Sequence, residues 1–199
     1  MGKTIITAKL TYPLEIRWHG RGGQGAVTAA KLLAETALGL GKQIQAFPQF
    51  GSERRGAPII AFTRIDETPI TLYTTIPEPN VVIVLDESLL GLPGVLTGLR
   101  EDGLLLVDSP STPRDVRERV GRQGGTIATV PASAIAVEHL GRPVTNTAML
   151  GAFLAATGIL DLHDVLVHVE RKFAEQFPES VVAGNLRAMQ EAYRRVALA

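Results

Sequence analysis

The sequence predicts an α/β fold: a Rossmann-like open, mainly parallel sheet flanked by helices, with an antiparallel hairpin and a helical C-terminal tail. Three observations carry this expectation. Short strand-like segments alternate with helical ones over the first two thirds of the chain, the order of a sheet built from βα units. Two of the strands, around Asn80–Leu85 and Gly103–Val107, are nearly continuous apolar runs, as befits strands buried on both faces of a parallel sheet. Between the first strand and the first helix lies a glycine-rich hexapeptide, Gly20-Arg21-Gly22-Gly23-Gln24-Gly25.

Each element has its own local reason. Residues 1–13 read as a flexible lead-in ending at Pro13, and 14–199 as a single domain. Glu15–His19 alternates in polarity and predicts a first strand. Ala26–Leu40 is rich in Ala and Leu and is closed by Gly41, a helix with a C-terminal glycine. Gln43–Phe47 is the second predicted strand. A loop with Pro48, Gly51 and Gly56 follows. Ala57–Ile65 and Pro69–Thr74 flank an Asp-Glu-Thr turn and predict an antiparallel hairpin. Beyond the two apolar strands, Ser111–Val120 is polar and helical, Thr126–Val130 is a short strand and Pro131–Leu140 a short helix. From Asn146 the pattern is helical, in segments of about 146–157, 161–176 and 180–197. This tail either covers one face of the sheet or reaches a partner.

Composition excludes several function classes. The 20 basic and 20 acidic residues balance and no basic run exists, so there is no electrostatic case for nucleic acid. Fifteen of the 20 basic residues are Arg. That suits bidentate recognition of phosphates and carboxylates, although a GC-rich genome explains it equally simply. The chain has no Cys, which rules out disulfides, thiolate zinc sites, Cys nucleophiles and a cysteine-held iron–sulfur cluster on this chain. No apolar run approaches the roughly 20 residues that span a bilayer. The first ten residues do not read as a signal peptide, so no membrane association and a cytoplasmic location are expected.

The glycine hexapeptide matches G-x-G-x-x-G in the strand–helix context that the motif requires. Glycines let the backbone approach a phosphate, and the helix N-terminus offers free N–H groups and partial positive charge to an anion. A tight turn that binds nothing has the same pattern. An NAD site wants an acid about 20 residues later for the ribose hydroxyls. Here the second strand ends in Gln45-Ala46-Phe47-Pro48-Gln49, and Arg54 and Arg55 follow Glu53. An arginine pair suits a phosphorylated ribose, as in NADP or coenzyme A; a solvated loop or an intersubunit ion pair is the simpler alternative.

Three segments together, EIRWHGRGGQG over 15–25, QAFPQFGSERRGAP over 45–58 and VIVLDE over 82–87, resemble the γ subunit, or γ domain, of pyruvate (2-oxoacid):ferredoxin or flavodoxin oxidoreductases. The resemblance spans roughly residues 14–197. It implies a subunit, inactive alone, of an enzyme that oxidatively decarboxylates a 2-oxoacid, pyruvate first among them, in a cytoplasmic heteromeric complex. Thiamine diphosphate, Mg and iron–sulfur clusters would lie on α, β and δ-type partner subunits, with ferredoxin or flavodoxin served through the complex. The γ region would contribute to binding coenzyme A. Carried over by position, the contacts would be Gly20, Arg21, Gly22, Gly23 and Gln24 of the turn, Arg54 or Arg55 of the following loop, Asn146 at a helix start and Asn185 in the last helix. Asn146 also reads as a plain N-cap, and Asn185 as a polar residue on a helix face. No catalytic residue and no metal ligand is expected here. The alternatives are a stand-alone NADP-binding oxidoreductase and a purely structural assembly subunit.

Remaining features have simple readings. His19 reads as a partly buried strand-end residue as readily as a ligand contact. His163 and His168 are five apart and do not share a helix face well. Asp86 and Asp108, at the ends of buried strands, read as caps of the segments that follow.

Overall fold

A computed structural model describes residues 12–49 and 57–199. Seven strands form one sheet: β1 (Leu14–Arg21), β2 (Gln43–Gln49), β3 (Pro58–Asp66), β4 (Val81–Val84), β5 (Leu104–Asp108), β6 (Thr126–Val130) and β7 (Ala197–Leu198). Their order is β2-β3-β1-β4-β5-β6-β7. The central strands β1, β4, β5 and β6 run parallel. β3 pairs antiparallel with both β1 and β2, and β7 antiparallel with β6. Among the described residues six α-helices flank the sheet: α1 (Ala26–Gly39), α2 (Pro113–Val120), α3 (Ala132–Leu140), α4 (Asn146–Thr157), α5 (Leu162–Ala174) and α6 (Glu179–Arg195), with a 3-10 turn at Glu87–Gly91. The predicted fold class is the observed one.

The sheet separates two cores. On one face Ile16, Trp18, Ile83 and Leu106 pack with α1, α3, α4, α5 and α6; on the other Val82, Val84, Leu105 and Val107 pack with the 3-10 turn and α2. The apolar runs of β4 and β5 therefore bury alternate residues into both. Helix α4 has no charged residue and is buried on every side. It touches α6 so closely that a Cβ on Gly151 would run into the Met189 carbonyl. The helical tail thus covers one sheet face, the first of the two options its sequence leaves open.

Two expectations at the level of elements are corrected. Pro69–Thr74 is not a strand. The buried guanidinium of Arg64 pairs with Glu15 at 2.9 Å and donates to the carbonyls of Leu72 and Thr74, so this segment satisfies its carbonyls on a side chain instead of a ladder. The antiparallel partners of β3 are β1 and β2, the latter in register from Gln43↔Asp66 to Gln49↔Ile60. β7, two residues after α6, has no period that a sequence can show. Of the lead-in 1–13, residues 1–11 lie outside the described residues; Tyr12 packs against the core and has Lys42 Nζ 4.9 Å from its ring centre.

Candidate functional site

The glycine turn is held by hydrogen bonds from its own amides. Gly22 N donates to Ala57 O (3.1 Å), Gln24 N to Arg21 O (3.1 Å), and Arg21 N to the Gln24 side-chain oxygen (2.7 Å). Those amides are spent on shaping the turn. Gly25, at φ +85°, is the N-cap of α1; its carbonyl accepts the first helical bond, from Ala29 N. The helix has no side-chain cap and no acidic residue in its first turn. Ala26, Val27 and Thr28, whose amides precede the ladder, line a cavity of about 580 Å³. That is within the range of about 300–1,000 Å³ of small-molecule sites.

Four cationic side chains line this cavity, Arg21, Lys31, Arg142 and Lys172, with one carboxylate, Glu35. Lys172 Nζ and His168 Nε2 each lie 3.5 Å from Glu35 Oε2. Arg21 is tied to Asp86 (2.9 Å) and to the Ser88 hydroxyl (2.8 Å). The wall opposite α1 is apolar and aromatic, with Leu140, Val144, Phe173 and Phe177. An uncapped helix start beside an excess of positive side chains and next to an apolar wall can hold an anionic ligand that carries an apolar part.

Of the predicted contacts, Arg21, Gly23, Asn146 and Asn185 converge on the cavity. Gly20, Gly22 and Gln24 are not on its lining. Gly20 sits in β1, where a Cβ would lie 3.2 Å from that of Ala26. Gln24 folds back on Arg21 N and reaches Asp86 at 3.4 Å. Arg54 and Arg55 lie outside the described residues. Asn146 is not the N-cap: Thr145 holds that position, and Asn146 is the first helical residue, its side-chain oxygen accepting from Thr147 N at 2.9 Å. Its side chain backs onto Gly25, where a Cβ would stand 2.9 Å from its own. Asn185 is buried, not on an open helix face; it accepts from the Thr147 hydroxyl (2.9 Å) and donates to Val181 O (2.8 Å). The two asparagines are therefore linked through Thr147, and Asn146 sets α4 against the glycine turn.

Lys31, Arg142 and Lys172 were not singled out in the sequence. Lys31 had a signal, because it lies three and four residues after Thr28 and Val27, on one face of α1 with the first turn. Arg142 and Lys172 had none; only packing of the α3–α4 link and α5 over α1 brings them in. Two carboxylates at strand ends act as caps. Burial pushes the Asp86 carboxyl up, but hydrogen bonds from Ser88 and Arg21 outweigh it and hold it below the usual range. Burial raises Asp108, against hydrogen bonds from Ser133 and Ala132 at the start of α3. His19 is buried. Burial and the neighbouring Arg17 guanidinium lower its pKa to about 4. It accepts from Arg17 Nε at 3.0 Å and lies off the cavity lining.

Comparison with known proteins bears on this geometry. The family model of pyruvate ferredoxin/flavodoxin oxidoreductase matches residues 15–195. A Pyrococcus abyssi protein, the common subunit gamma of pyruvate/ketoisovalerate oxidoreductases, is 50% identical over 182 residues, covering 92% of this chain and 96% of the relative. Pyruvate synthase subunit PorC of Thermotoga maritima is 44% identical over 182 residues, covering 92% and 94%. The crystal structure of the PORC subunit of pyruvate oxidoreductase from Thermotoga maritima superposes with a TM-score of 0.82 at 42% identity, over 94% of this chain and 98% of that one. A 2-oxoglutarate:ferredoxin oxidoreductase of Magnetococcus marinus, at 21% identity and a TM-score of 0.73, shares the fold over 91% of this chain and 30% of its own. The chain belongs to the pyruvate ferredoxin/flavodoxin oxidoreductase family, as a γ subunit of that enzyme.

Proposed function

We propose that this γ subunit binds coenzyme A for thioester formation, while partner subunits of the α, β and δ kind carry thiamine diphosphate, Mg and iron–sulfur clusters. The observation that carries the reading is the cavity at the start of α1, where Arg21, Lys31, Arg142 and Lys172 face a single carboxylate. Coenzyme A has phosphate groups for the cations and apolar parts for the wall. The structure of the Magnetococcus marinus enzyme that shares the fold has 2-oxoglutarate, coenzyme A and succinyl-CoA bound, which adds support. With thiamine diphosphate and clusters supplying carbanion and electron-transfer chemistry on other chains, this chain binds and orients: Lys31 and Arg142 take the phosphates together with the first-turn amides of α1, and Gly23 leaves the approach open. Arg54 and Arg55 are proposed as further phosphate contacts.

Charge-assisted contacts of this kind contribute roughly 1.5–3 kcal/mol each. In the assembled enzyme, Lys31→Met with Arg142→Met is expected to raise the KM for coenzyme A by at least about tenfold and to leave the 2-oxoacid KM within a factor of about two, since uniform binding of one substrate is lost. Dephospho-coenzyme A separates the contacts to the ribose phosphate from the rest. Unchanged coenzyme A kinetics in the double variant overturns the reading.

A further inference from the structure

Two strand ends meet beside the glycine turn and set opposite charges next to each other. Arg21 closes β1, and Asp86 stands just beyond β4, the parallel neighbour of β1. The two oxygens of the Asp86 carboxylate have different partners. Oδ1 accepts from the backbone N–H of Ser88 (3.0 Å) and from its hydroxyl (2.6 Å), which makes Asp86 the N-cap of the 3-10 turn. One oxygen is all that a cap needs. Oδ2 takes no part in it: it accepts from Arg21 Nε at 2.9 Å and from Gln24 Nε2 at 3.4 Å. The Ser88 hydroxyl, while donating to Oδ1, accepts from Arg21 Nη2 at 2.8 Å. The side-chain oxygen of Gln24 accepts from Arg21 N at 2.7 Å. Arg21 is thus gripped at Nε, at Nη2 and at its own amide. Of these four residues, Arg21 lines the cavity, and Asp86, Ser88 and Gln24 do not.

We infer that Asp86 is a positioning residue for ligand binding: through Oδ2, with Ser88 and Gln24, it fixes the Arg21 side chain at the cavity before any ligand arrives. An unrestrained arginine gives up its rotamer freedom when it meets an anion. One held in advance has given it up on folding, and binding is tighter by that difference. The inference rests on the coenzyme A reading and adds to it a residue that acts through Arg21. The division of the two oxygens separates this role from capping. In Asp86→Asn the remaining side-chain oxygen still caps Ser88, because Asn caps as well as Asp. Its NH2 group, however, meets Arg21 Nε and Gln24 Nε2 donor against donor.

The test is the steady-state kinetics of the assembled enzyme. Asp86→Asn is expected to raise the KM for coenzyme A about fivefold, as coupling between residues in direct contact allows. It is expected to keep kcat at saturating coenzyme A, and the KM for the 2-oxoacid, within about twofold. Ser88→Ala, which leaves the backbone cap in place, should move the coenzyme A KM in the same direction by a smaller factor. In an Arg21→Met background Asp86→Asn should change nothing further, since the side chain it positions is gone. A purely structural role would instead lower kcat and persist in that background. An unchanged coenzyme A KM in Asp86→Asn overturns the inference, as do effects of Asp86→Asn and Arg21→Met that multiply. Should Asp86→Asn fail to assemble, Ser88→Ala decides, and wild-type constants in it overturn the inference. If Lys31→Met with Arg142→Met raises the coenzyme A KM while Asp86→Asn does not, only the positioning role fails. If neither variant moves it, the coenzyme A reading fails and the inference with it.

Discussion

Single residues set the turn and one buried ionisation. Gly25 combines φ +85° with a neighbour, Asn146, that leaves no room for a Cβ. Gly23 has φ +99° and open space around it. Gly25→Ala should therefore cost more than Gly23→Ala: about 2–4 kcal/mol against about 1 kcal/mol, because only the first adds a steric conflict to left-handed strain. Denaturant unfolding of the two variants checks the order, and equal losses would refute the contact. His19 yields a pH prediction. Its folded pKa of about 4 is below its ordinary 6.5, so on acidification the unfolded chain takes up the proton first. Stability is expected to be full above about pH 6.5 and to fall toward pH 4, by up to about 1.4 kcal/mol per pH unit from this residue. His19→Gln should flatten that part of the profile in urea unfolding at fixed ionic strength. An unchanged slope would mean that other groups carry it.

At the scale of elements, capping and close packing decide. Helix α2 opens with a reciprocal capping box: Thr112 accepts from Asp115 N, and Asp115 accepts from Thr112 N, with Pro113 in the first turn. Thr112→Ala is expected to cost about 1 kcal/mol and to leave coenzyme A kinetics untouched, since α2 lies on the sheet face away from the cavity. Gly151 is the opposite case. It lets α4 and α6 touch, and those helices carry Asn146 and Asn185 into the site. Gly151→Ala should lower the unfolding midpoint strongly, by about 3 kcal/mol or more of stability, as overpacking against backbone does. It should also weaken coenzyme A binding. A stable variant with normal kinetics would show that the helices yield without moving the asparagines.

On the scale of the whole molecule, the chain is a piece of chemistry and not the whole of it. It has no Cys, so the purified chain is expected to be colourless after anaerobic iron–sulfur reconstitution and unable to reduce a low-potential dye with any 2-oxoacid. Visible cluster absorbance on the isolated chain would overturn this. Leu72 and Tyr73 are 57% and 86% exposed on a segment whose carbonyls Arg64 already holds. Exposed apolar side chains of this kind are suited to a subunit interface, which needs more than about 1,000 Å² in total. Leu72→Asp with Tyr73→Asp should reduce recovery of partner subunits on co-purification without unfolding the chain, and full recovery would place the interface elsewhere. No helix among the described residues is long and apolar enough to cross a membrane.

Much of the fold was legible in the order of residues, because it depends on local periods. The apolar runs at β4 and β5, the strand–glycine–helix junction and the helical tail all announce themselves within ten or fifteen residues. The family was legible too, since its three segments occur in one linear order. The site was legible where it is local, and at Asn146 and Asn185, which the family resemblance supplied. Arg21 and Gly23 lie in the motif, and Lys31 follows on the same helix face. Arg142, Lys172 and Phe177 come from elements more than a hundred residues away, and only the packing of α4, α5 and α6 over α1 makes them neighbours. The same holds for errors. Pro69–Thr74 has strand character, but Arg64 claims its carbonyls, and Asn185 reads as a surface amide until Thr147 buries it. Propensity and pattern act through neighbours in sequence. Burial, ion pairing and the closing of a cavity act through neighbours in space, and these only the assembled chain supplies.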